Sequence, residues 1–93
     1  MTDEQKKCVE SYAALLAEFI SGKIDAATFE RSYLHKFKNE SMQLPQHVFE
    51  ELDRMFGDVD AYSSDPLIRS ADGLDDEGLL ASAKRTVAAL KVL

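Results

Sequence analysis

The sequence predicts an all-α protein folded as an antiparallel four-helix bundle. Four segments repeat apolar residues at three- and four-residue spacing, no segment alternates with the period of a strand, and capping and turn residues separate the segments mostly by short connections. With 93 residues, 45% of them hydrophobic and 30% charged, the chain is long enough for one core and too short for two. Residues 1–93 are therefore read as a single domain that folds alone.

The first helix runs from about Asp3 to Ser21, with Val9, Tyr12, Ala13, Leu16, Phe19 and Ile20 along one face. Thr2 followed by Gln5 has the form of a capping box, and Gly22 is placed to end the helix. The second starts with Asp25 as N-cap, carries Phe29, Tyr33 and Phe37 at four-residue intervals, and is expected to end near Ser41 to Gln43. Pro45 fits the first turn of the third helix, whose core face is read as Val48, Phe49, Leu52, Met55, Phe56 and Val59, while Gly57 weakens it and marks a kink or its end. From about Tyr62 to Leu74 the periodicity gives way to turn formers, which predicts a loop long enough to be functional. The fourth helix starts near Asp75, has Asp76 and Glu77 in its first turn, and buries Leu79, Leu80, Ala83, Val87 and Leu90.

Charge narrows the function. The formal net charge of −6 opposes binding to nucleic acid or to anionic membranes and favours a basic partner. The excess is concentrated: from Glu50 to Glu77 there are ten acids and two bases. The lone Cys8 cannot form an intramolecular disulfide, and MTDEQKK opens into charged residues with no apolar core behind it, so the cytoplasm is the expected compartment.

No residue pattern points to catalysis. Cys8, His35 and His47 could serve as nucleophile or base, but they fall in three different helices and in no catalytic signature. Asp58-Val59-Asp60 begins like a calcium loop, yet Tyr62 stands at the fifth position, Ser63 replaces the turn glycine, and Arg69 replaces the bidentate glutamate. Ser63-Ser64-Asp65-Pro66-Leu67 lacks the Asp-Ser-Leu order of an acyl carrier protein. The expectation is a non-enzyme with no metal and no cofactor. Its candidate partner-binding residues are the carboxylates of the acidic segment, Asp53, Asp58, Asp60, Asp65, Asp72, Asp75 and Asp76, with Tyr62 as an apolar anchor among them.

The stretch Phe56-Gly57-Asp58-Val59-Asp60-Ala61-Tyr62-Ser63-Ser64-Asp65-Pro66, with Asp75-Asp76-Glu77 and Leu79-Leu80 after it, resembles the bacterial self-protective colicin-like immunity family, which includes colicin D-type inhibitors. Residues Phe19 to Phe29 resemble that family's first helical hairpin. The resemblance implies a four-helix inhibitor that binds the nuclease domain of a bacterial toxin, often a tRNA-cleaving one, as a one-to-one complex. In the family, acidic side chains stand in for RNA phosphates in the toxin's basic groove; the matching positions are Asp58 and Asp60, with Asp53, Asp65 and Asp75 nearby. Gly57 departs from the pattern, in which a colicin D-type member has an acidic residue before the aspartate pair. The alternative is a helical adaptor or regulatory subunit that binds a basic partner without inhibiting an enzyme.

Overall fold

The computed structural model describes residues 1–62 and 73–91. They form α1 (Asp3–Ile20), α2 (Ala26–Lys38), α3 (Gln46–Ala61) and α4 (Asp76–Lys91). Each helix packs on the next in sequence, and α4 closes against α1, so the four make an all-α ring around one core, the bundle that the hydrophobic periodicity predicts.

Local chemistry sets the helix ends. Thr2 Oγ1 accepts from the Gln5 N–H at 3.1 Å and the Thr2 N–H donates to Gln5 Oε1 at 2.9 Å, completing the capping box. At the other end of α1 the Lys23 N–H reaches the Glu18 carbonyl and the Gly22 N–H reaches that of Phe19, the paired bonds of a Schellman ending. Gly22 holds φ +83°, a conformation in which a Cβ is strained. Asp25 caps α2 by accepting from the Thr28 N–H at 2.8 Å, and Asp75 caps α4 by accepting from the Gly78 N–H at 2.8 Å. Pro45 is the N-cap of α3 and lies one residue outside the helix.

Two helix limits differ from the sequence expectation. Helix α2 stops at Lys38 because Asn39 Nδ2 donates to the His35 carbonyl at 2.8 Å and the Glu40 carboxylate takes the Met42 N–H at 3.1 Å, side-chain bonds that compete with further helix. Gly57 does not end α3, which continues to Ala61. The packing of the turns on either side holds the helix through that position, and a Cβ built on Gly57 meets nothing within 4 Å. Gly22→Ala and Gly57→Ala should therefore move stability in opposite directions in urea melts: the first lowers it by about 1–2 kcal/mol through left-handed strain, the second raises it by about 1 kcal/mol through helix propensity.

Tyr12, Leu16, Phe29, Tyr33, Val48, Leu52, Met55, Val59, Leu79 and Ala83 have 0% exposure and form the centre of the core. The narrow aromatic stripe of α2 interlocks with rings from both sides. Phe29 stacks on Phe19 at 4.6 Å, and Tyr33 meets Tyr12 edge-on at 5.7 Å while its hydroxyl donates to the Leu52 carbonyl at 2.8 Å. In α4 the buried set is Leu79, Ser82, Ala83, Thr86 and Leu90, with Leu80 and Val87 half-buried at its edge. Thr86 is tolerated inside because its hydroxyl donates to the Ser82 carbonyl at 2.8 Å.

Candidate functional site

The acidic residues of α3 do not form one patch. Val48, Leu52, Met55 and Val59 face the core, and with about 100° between successive residues the remaining positions divide into two flanks and an outer stripe. Asp58 and Asp60, expected together, are about 200° apart around the helix, so Asp58 faces one flank while Asp60 faces outward. Asp58 turns toward α4, where its Oδ2 accepts from Arg85 Nη2 at 2.8 Å. That pair is half-exposed, so it contributes at most about 1 kcal/mol, but it neutralises the Asp58 charge locally. Asp53 and Asp60 lie on the outer side, are exposed, and share a stripe with exposed Glu50 and Gly57.

Phe49 belongs to the same stripe and corrects the sequence reading of the α3 core face. It is 48% exposed, stacked on Phe37 at 5.8 Å, while Phe37 also contacts Phe56 at 5.0 Å. The sequence carries one sign of this: Val48 and Phe49 are adjacent, and neighbours about 100° apart cannot both point to the centre of a core. The result is a large apolar ring standing in solvent near Glu50 and one turn from Asp53, with Asp60 about 16 Å farther along the helix.

Tyr62, expected as the exposed anchor, is 9% exposed. Its hydroxyl donates to Asp76 Oδ1 at 2.5 Å, and its backbone pairs with Leu74 in an isolated parallel bridge, with the Leu74 N–H on the Ala61 carbonyl at 3.2 Å. The ring is packed down at the junction of α3 and α4, so it positions the Asp76 carboxylate and does not project. Asp75 and Asp76 are exposed at the start of α4, the first as its cap. Asp65 and Asp72 lie outside the described residues.

Beside these carboxylates, an open cleft of about 410 Å³ has Phe19, Ile20, Ile24 and Leu80 among its lining residues, with Asp25, Asp76 and Glu77. It sits where the turn between α1 and α2 meets the first turn of α4.

The three residues considered for catalysis remain dispersed. His35 and His47 are exposed, and Cys8 is paired with Glu40 instead of a histidine. Burial and that hydrogen bond push the Cys8 thiol up to about 11, so it is protonated and weakly nucleophilic at neutral pH. Among the described residues no group of three or more His, Cys, Asp or Glu side chains is arranged to hold a metal ion. No described helix is long and apolar enough to cross a membrane.

Glu40 ties this end of the bundle together. It accepts from the Tyr12 hydroxyl at 2.9 Å, and Lys36 Nζ lies 4.6 Å from the centre of the Tyr12 ring. Burial raises the Glu40 carboxyl, but hydrogen bonds from the Met42 N–H, the Tyr12 hydroxyl and the Cys8 thiol, with Lys36 nearby, outweigh it and hold the pKa below 4.5. The folded state thus binds fewer protons than the unfolded one. Its contribution to stability is complete above about pH 4.5 and is lost as pH falls through the lowered folded value. Thermal melts from about pH 6 to 3 should show wild type losing more stability than Glu40→Gln over that acid limb; parallel curves would remove this role from Glu40.

No curated protein and no solved structure matches the chain. A family model does: the one described as bacterial self-protective colicin-like immunity matches residues 7–90, a span that includes all four helix cores, Phe49, the α3 carboxylates and the cleft. The chain belongs to the bacterial self-protective colicin-like immunity family.

Proposed function

We propose that this protein is an immunity protein that binds and neutralises a cognate nuclease toxin, with a tRNA- or RNA-cleaving bacteriocin or contact-dependent inhibition toxin as the class of target. Membership of the immunity family carries the reading. The outer stripe of α3 supports it, because an exposed aromatic ring followed along the same helix by carboxylates suits a basic substrate groove: the ring supplies the desolvated anchor and the acids supply attraction and register.

In this reading Phe49, Asp53 and Asp60 make the principal contacts, and Asp75 and Asp76 extend the negative field toward the start of α4. Asp58, paired with Arg85, contributes less. The chain acts as a monomer in a one-to-one complex in the cytoplasm, uses no cofactor, and touches neither nucleic acid nor membrane. Charge gives speed. A field of this sign in front of a basic groove raises association to about 10⁸–10⁹ M⁻¹s⁻¹ at low salt, fast enough to capture toxin before it cleaves RNA.

Co-expression provides the test. The cognate toxin domain should arrest growth alone and not when this chain is co-expressed, and the two should co-purify in equal amounts. A complex that forms while nuclease activity and growth arrest persist favours the adaptor alternative.

A further inference from the structure

We propose that the cleft between the α1–α2 turn and the start of α4 receives an arginine side chain of the partner protein. This deepens the immunity reading and rests on it.

The cleft combines two surfaces that suit different parts of one side chain. Phe19, Ile20, Ile24 and Leu80 are apolar, and Asp25, Asp76 and Glu77 are carboxylates brought from two separate segments of the chain. No Lys or Arg is among the described residues that line it. Lys23, the one base in the turn between α1 and α2, lines a different depression together with Glu18. The turn itself supplies these carboxylates with no cation; Arg31 of α2 is near enough to help lower the Asp25 carboxyl but does not line the cleft, in contrast to Arg85, which bonds Asp58 directly.

Hydrogen bonds fix two of the three acids in place. Asp25 is held by its capping bond to the Thr28 N–H, and hydrogen bonds from Thr28 keep its carboxyl below the ordinary range. Asp76 is held by Tyr62. Asp76 and Glu77 occupy the first turn of α4. A volume of about 410 Å³ is at the small end of pockets for organic groups, about 300–1,000 Å³. An arginine fits this chemistry better than a lysine: its methylenes cover apolar surface, its guanidinium is weakly hydrated, and its planar donors match carboxylates on more than one side.

The experiment has two arms. In the first, amide resonances of the whole protein are followed while acetyl-Gly-Leu-Arg-Leu-Gly-amide is added into the millimolar range, with the same peptide carrying citrulline as the uncharged control. The cleft predicts saturable shifts at Ile20, Ile24, Glu77 and Leu80 with arginine and at least tenfold weaker ones with citrulline; no arginine-dependent shift at these residues overturns the assignment. In the second, toxin binding is compared between wild type and the Asp25→Asn, Asp76→Asn, Glu77→Gln variant, which keeps a capping side chain at position 25 and an acceptor for Tyr62. A loss of at least 30-fold, seen mainly in dissociation, supports the cleft, and unchanged affinity with an intact circular dichroism spectrum overturns it. Should wild type fail to bind the toxin at all, the immunity reading falls, and the peptide arm still decides whether the cleft takes arginine.

Discussion

Phe49→Ala should weaken binding to the cognate toxin by about 30- to 1,000-fold, or 2–4 kcal/mol, while the protein stays folded. The expectation comes from the 48% exposure of the ring in the free chain, beside exposed carboxylates. Removing a half-exposed ring that stacks on Phe37 costs the bundle far less than removing a buried one, so stability should fall by only about 1 kcal/mol. By contrast, Leu52→Ala empties a fully buried position and should cost about 2–5 kcal/mol of stability. Loss of affinity without loss of fold is the signature of an anchor, and it should appear in the dissociation rate.

Reversing the charge of the outer acids should have the second large effect. Asp53→Lys with Asp60→Lys removes two negative charges and adds two positive ones on a stripe facing away from the core, where the fold tolerates the change. At low salt the association rate should fall by about 100-fold, because steering toward a basic groove becomes repulsion. At about 1 M salt the difference should nearly vanish, since the screening length drops to about 3 Å. Asp58→Asn serves as the contrast: it breaks the Arg85 pair, costs at most about 1 kcal/mol of stability, and leaves the association rate within a few-fold of wild type.

Much of the fold was legible because helix ends are written locally. Thr2 with Gln5, Gly22, Asp25 and Asp75 are adjacent to the backbone groups they satisfy, and their residue types identify the role. The side chains that face inward were less legible. Val48 and Phe49 have equal claim to the core by hydrophobicity, and the helix on either side decides between them: α2 leaves Phe49 stacked at the edge on Phe37. Ser82 and Thr86 look like surface residues in the sequence but are buried, since Thr86 returns its hydroxyl bond to its own helix.

The site was legible in its sign and not in its geometry. That the segment from Glu50 to Glu77 is acidic follows from counting; that Asp58 spends its charge on Arg85 depends on a contact across 27 residues of sequence. Tyr62 was misplaced for the same reason, since its partner Asp76 lies 14 residues away on the next helix. Asp25 was identified as a cap, but its place at a cleft with Asp76 and Glu77 follows from the antiparallel arrangement that brings the start of α2 beside the start of α4.

The most direct measurement is a titration of the purified toxin domain's nuclease activity with this protein at fixed toxin concentration. RNA cleavage should fall linearly and reach zero at one equivalent, and Phe49→Ala should bend the titration into a shallow curve. Cleavage that continues undiminished at a saturating excess of a protein shown to be bound would contradict the immunity reading.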